Sequence, residues 1–227
     1  MTIVGEEWLE ALTKFVGRRG RSRDTAEFLS DASNELYLNA LTARCLREYG
    51  QRSRSIPRFW VRAEWSKTDI SYGALTSACR ALTSPRQWNL ARKMRETGDI
   101  GHIEAKVVWG HSGSKHSGTI ETLARQLERR RDADIQSKRT GQQYHGLVWA
   151  YAHSTTKNGG TQAWEELPAL EANLVSCAKK WNLKPLPRRR GNADEGYFRE
   201  VFVQRLRIWP SLPNYNGRLS LGIFKLT

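Results

Sequence analysis

The chain is poor in cysteine, and the three it has, Cys45, Cys79 and Cys177, are isolated and odd in number. That pattern excludes a disulfide framework and any C-x-x-C metal site. Each cysteine reads instead as a small core residue in a reducing compartment. Long apolar runs are missing as well: nothing approaches the ~18 consecutive apolar residues of a membrane span. The opening MTIVGEEWLEAL is acidic and lacks the basic-then-apolar layout of a signal peptide. The expected setting is therefore cytoplasmic, with no membrane partner. No G-x-x-x-x-G-K-[ST], G-x-G-x-x-G or G-x-S-x-G occurs, which removes support for NTP hydrolysis, dinucleotide binding and serine hydrolase chemistry.

Acidic residues are also in deficit. Lys and Arg number 37 against 23 Asp and Glu, a net charge of +14 over 227 residues. Such a balance favours a polyanionic partner, because neutralising phosphates releases counterions. The arginine runs RRGRSR (18–23), ERRR (128–131) and PRRR (187–190) are far apart in sequence, so the basic surface belongs to the whole fold and not to one tail. Arg129, Arg130, Arg188, Arg189 and Arg190 are the candidate backbone contacts.

Periodicity supplies the architecture. Residues 5–17 carry Trp8, Leu9, Leu12, Phe15 and Val16 at helical spacing, and a longer helix is expected over 31–49 with Leu36, Ala40, Ala43 and Leu46 along its buried stripe. RFWVRAEW (58–65) alternates as a strand. Two short helical pieces around Ser84-Pro85 form an insertion. GHIEAKVVWG (101–110) is a strand, HSGSKHSG (111–118) a loop, TIETLARQLERRR a helix and YHGLVWAYAH a buried strand. ALEANLVSCAKKW is an amphipathic helix, and the tail from about residue 197 reads as strands divided by turns. A helix between two strands of one sheet makes a right-handed crossover joining parallel strands. The fold class is α/β: a single domain over 1–227 with a central mixed β-sheet flanked by helices. Its core spans about 31–152, with a helical N-terminal part (1–50) and a strand-rich C-terminal part (183–227).

Within the strand 101–110, Glu104 and Lys106 lie on one side, and Ile103, Ala105 and Val107 on the other. A plain reading is a half-buried strand with a solvated face. An acid-x-Lys pair alone is worth little, since average usage yields about one per chain of this size by chance. Glu104-Ala105-Lys106 is nevertheless the single match here, and its setting resembles the PD-(D/E)XK nuclease superfamily, whose core is restriction-endonuclease-like. The resemblance covers roughly residues 31–152 and a handful of positions.

The resemblance implies a Mg2+-dependent endonuclease acting on double-stranded DNA, with Mn2+ able to substitute. It further implies a restriction-type, mobile-element or defence role and a homodimer that supplies two active sites. Asp69 and Glu104 would be the carboxylate ligands, with the Ala105 carbonyl as a third contact. Oxygen donors of this kind suit a hard cation. Lys106 would be the electrostatic partner of the reacting phosphate. Asp99 is the rival to Asp69, although it stands only five residues before Glu104. Glu35, on the early helix, is a fourth candidate, against the reading of a solvated helix charge. Gln126 could face the site or DNA. Lys115 and His116, in the glycine- and serine-rich stretch, could hold a phosphate, against the reading of a plain surface loop.

Residues 169–192 also resemble the end of a GIY-YIG nuclease, through Glu171 and the basic turn that follows, but the opening pair of tyrosine-bearing strands is missing. A non-catalytic nucleic-acid-binding protein, or an RNA-binding subunit of a larger assembly, accounts for the same charge without hydrolysis.

Overall fold

The computed structural model describes residues 4–20, 34–52, 59–65, 68–74, 100–110, 115–139, 141–154, 162–186, 197–206 and 215–227. The elements run α1 (Glu6–Gly20), α2 (Asn34–Arg52), β1 (Phe59–Trp65), β2 (Thr68–Ala74), β3 (Ile100–Trp109), α3 (Lys115–Gln136), β4 (Gln143–Ser154), α4 (Gln162–Lys180), β5 (Leu183–Pro185), β6 (Phe198–Leu206) and β7 (Tyr215–Leu226). The proposed insertion around Ser84-Pro85, Cys79 and Asp99 all lie outside the described residues.

Among the described residues, seven strands form one mixed sheet in the order β1-β2-β3-β4-β7-β5, with β6 pairing the other stretch of β7's outer edge. Of these described strand pairs, only β3 and β4 are parallel. They are the two strands joined through α3, as the right-handed crossover rule requires. The expected α/β class with a mixed sheet and flanking helices is therefore what the chain forms.

Each face of the sheet carries its own apolar layer. On one face Trp8, Leu12 and Val16 of α1 and Leu38 and Leu46 of α2 pack on Ile70, Ile103, Ala105 and Trp149. On the other, Ile120, Leu123 and Leu127 of α3 and Leu167, Leu170 and Leu174 of α4 pack on Val108, Val148, Ala150 and Phe224. β3 and β4 are thus covered on both sides, which explains their near-continuous apolar sequence.

Three local expectations shift. The buried stripe of α2 is Leu38, Leu41, Ala43, Cys45 and Leu46, whereas Leu36 is 67% exposed and Ala40 is on the surface. The expected stripe thus keeps Ala43 and Leu46 but is rotated about the helix at its start, because Leu38 and Leu41 bury more apolar area against the sheet. Helix α3 begins at Lys115, inside the stretch expected to be a loop. Helix α4 begins at Gln162 and runs through Pro168. A proline there costs about 3 kcal/mol, but Leu167, Leu170 and Leu174 are all buried, each contributing roughly 1.5–3 kcal/mol. Burial wins. Asn182, at φ 56°, then closes α4 in the left-handed conformation that asparagine tolerates.

Candidate active site

β1 and β2 form a tight hairpin whose last pair is Trp65↔Thr68. Asp69 is thereby the second residue of β2, not part of a loop after β1. The β2–β3 register pairs Ile70 with Ile103. One step further along this antiparallel ladder brings Asp69 beside Glu104. At that level Asp69 Oδ2 accepts a hydrogen bond from the Ala105 N–H at 2.7 Å. A carboxylate replaces the next strand carbonyl, so the ladder is continued by a side chain that keeps a charge at the strand edge. In an antiparallel ladder a residue's N–H and C=O face the same neighbour, so the Ala105 carbonyl opens on the Asp69 side as well.

Alternation then sorts β3. Ile103, Ala105 and Val107 belong to the α1/α2 layer and Val108 to the α3/α4 layer. His102, Glu104 and Lys106 share the face of Val108. A solvated face is not what results: Glu104 is 1% exposed, and its Oε1 has no hydrogen-bond partner among the described residues. Burial, and next the negative charge of Asp69, push its carboxyl up to about 8, with Lys106 pulling the other way. Lys106 is mostly covered and its Nζ lies 3.2 Å from Glu35 Oε1, which is half-exposed at the head of α2. Four expected residues, Glu35, Asp69, Glu104 and Lys106, therefore meet where β2, β3 and α2 converge.

Below them lies an array of polar side chains that sequence reasoning passed over. Ser71 Oγ sits 3.0 Å from His102 Nδ1, and Thr68 Oγ1 2.9 Å from Ser71 Oγ. His102 Nε2 is 3.3 Å from Asp134 Oδ2 on α3. Asp134 also receives Arg130 at 2.6 Å, Arg139 at 3.0 Å and the Tyr144 hydroxyl at 3.0 Å. Burial alone would raise the Asp134 carboxyl, but His102, Arg130 and Tyr144 outweigh it and hold it near 2. His102 is shifted down, chiefly by burial. Ser71, His102 and Asp134 are each at most 1% exposed. The series resembles a Ser-His-acid relay in order only; no substrate reaches the serine. Its physical effect is to tie β2 and β3, two residues from Asp69 and Glu104, to the end of α3. The one sequence signal was His102 standing two before Glu104, on the same strand face.

Asn39, one turn on from Glu35, was also missed. It is 3% exposed, and neither its Oδ1 nor its Nδ2 has a partner among the described residues. Residues four apart share a helix face, so a polar amide follows the glutamate into the protein. Gln126 is half-buried, its Oε1 without a partner among the described residues.

The remaining candidates separate. His116 is buried, with Nε2 2.9 Å from the Trp109 carbonyl and Nδ1 3.4 Å from Asn173 Nδ2. Both ring nitrogens are engaged inside the fold, so the expected phosphate contact is withdrawn. Arg130 is committed to Asp134 and is likewise withdrawn, whereas Arg129 is exposed. Lys115 starts α3, but its side chain is outside the described residues, as are Arg188, Arg189 and Arg190.

Two carboxylates and a backbone carbonyl are the donors that could hold a divalent cation; among the described residues no three His, Cys, Asp or Glu side chains form a ready cluster. The set fits a hard, oxygen-preferring ion that keeps part of its water shell. The buried Glu104 oxygen, without a partner among the described residues, is the feature a cation would satisfy. No family model, curated protein or solved structure matches the chain, so its reading rests on these residues.

Proposed function

We propose that the protein is a metal-dependent endonuclease with a restriction-endonuclease-like core that hydrolyses phosphodiester bonds of double-stranded DNA. One observation carries the reading: Glu104 is buried beside a second carboxylate and an ammonium, with an oxygen left without a hydrogen bond among the described residues. Burying a carboxyl in this way costs several kcal/mol unless something compensates. A purely structural strand has no reason to carry that cost.

Asp69, Glu104 and the Ala105 carbonyl would hold Mg2+, or Mn2+ in its place. The ion would supply charge neutralisation at the phosphate and acidification of a water. Lys106 presents its ammonium to the phosphate oxygens as negative charge builds on them. Glu35 holds that ammonium in place until substrate arrives. Asp69 fixes the β3 backbone through the Ala105 N–H, keeping Glu104 and Lys106 in register. The basic composition draws the polyanion in. A homodimer would deliver two such sites to a two-fold duplex, in a restriction-type or other defence or mobile-element role. A protein that only binds nucleic acid shares the charge but leaves the cost at Glu104 unexplained.

The test is incubation of purified protein with plasmid and phage DNA, in Mg2+ and in EDTA. Metal-dependent cleavage is expected. Lys106→Ala should lower the rate by about 10²–10³-fold while duplex binding in EDTA persists. DNA left intact by the wild type under all conditions would refute the assignment.

A further inference from the structure

The far end of the sheet carries a second feature. The register runs Glu104↔Gly146, Gly146↔Phe224 and Phe224↔Pro185 across four strands. At strand spacing this places β5 roughly 14 Å from the candidate site. Beside β5 opens a cavity of about 450 Å³ lined by Lys179, Leu183, Lys184, Pro185 and Tyr197.

Positive charge gathers around this cavity. Lys184 pairs with Lys225 in the β5–β7 register. Lys179 and Lys180 end α4 directly before β5. Arg131 of α3 reaches the Thr227 carbonyl, which also lines the cavity. Lys138 stands two residues past the end of α3. Lys138, Lys179, Lys180, Lys184 and Lys225 are exposed, with no ion pair among the described residues. The carboxylates on this end of α3 are already held, Asp132 by Arg131 and Asp134 by Arg130 and Arg139.

We propose that this end is a second nucleic-acid-binding face, in which the lysines take backbone phosphates and the cavity takes a base against Tyr197. Free lysines act as point charges suited to phosphates, and the cavity is within the size range of small-ligand pockets. Tyr197 is 40% exposed, leaving ring surface on which a base can stack. A membrane surface fits less well. The large exposed hydrophobics among the described residues are Leu36 of α2, Ile135 of α3 and Tyr197, too few to make an apolar face to enter lipid. The face requires no cleavage, so it stands independently of the nuclease reading.

The experiment compares wild type with Lys179→Glu/Lys184→Glu/Lys225→Glu for binding to a labelled short duplex and a labelled single strand. It is run in EDTA and across about 50–200 mM salt. Lys106→Ala and vesicles rich in phosphatidylserine serve as further arms. Affinity for nucleic acid should fall at least about tenfold, and the log–log salt slope should flatten by about 2.7 on the duplex and about 2.1 on the single strand, the values for three phosphates. A milder triple exchange to Gln, checked by thermal melting, guards against loss of fold. Unchanged affinity and slope would overturn the proposal, as would a loss confined to vesicles. Wild type that binds but never cuts sinks the nuclease reading alone; cleavage with a silent lysine triple sinks this one alone.

Discussion

Glu104 gives the sharpest test, because its burial has a thermodynamic signature that needs no substrate. Its carboxyl titrates near 8 in the fold against 4.5 when free. The folded-state value is raised, so the chain gives up stability as pH climbs from the lower value to the higher one: the unfolded state has already ionised while the folded state still holds the proton. Each pH unit in that window costs about 1.4 kcal/mol. Between about pH 5 and pH 8.5 the loss from this one group comes to about 4 kcal/mol. For a chain of this length that is roughly 10 °C in melting temperature. Exposure of 1% leaves little solvent to screen it.

Glu104→Gln keeps the shape and removes the titration. Thermal melts by circular dichroism in EDTA, across that pH range, should show a steep decline in the wild type and a shallow one in the variant. Adding Mg2+ at the alkaline end should recover much of the wild-type loss, since a cation favours the ionised carboxylate, and leave Glu104→Gln unmoved. Parallel pH profiles for the two proteins would refute the reasoning, because Glu104 would then be freely ionised and its burial without consequence.

Asp134 should behave in the opposite sense. Its carboxyl is depressed from 3.8 to about 2, so its stabilisation is present above the higher value and lost as pH falls through the lower one. Asp134→Asn should destabilise by about 3–5 kcal/mol at neutral pH by stranding Arg130 and Arg139. In urea melts its deficit should shrink by about 2 kcal/mol toward pH 2. Gly101→Ala would drive a Cβ into the ring of Tyr72. A loss of about 3 kcal/mol is expected, most of it relieved when Tyr72→Ala is combined with it, as a double-mutant cycle would register.

Much of this fold is legible in the residues. The periods of α1, α3 and α4, the alternation of β1 and the apolar runs of β3 and β4 all mark elements that form. The crossover through α3 follows from chain handedness. Glu104 and Lys106 stand out because an acid and a base two apart in an apolar strand are costly there. Period alone could not say which stripe of α2 is buried, since Leu36 and Leu38 both head plausible stripes and only the packed sheet chooses. Nor could it mark His116 as internal, because the start of α3 within a glycine- and serine-rich stretch depends on docking against β3 and α4.

The residues alone establish the chemistry available: a basic, α/β chain with one acid-x-Lys strand and no nucleotide-binding signature. Tertiary structure decided which groups meet. Asp69 lies beside Glu104, not merely before it, because a hairpin and an antiparallel register bring together residues 35 apart. Glu35 reaches Lys106 because α2 docks across β1 and β3. The lysines of α4, β5 and β7 share one end because β7 pairs back along β4 and β5. Local propensity acts over a few residues, whereas these meetings span tens of residues, up to 71 between Glu35 and Lys106. They are set by which apolar faces must be buried against one another.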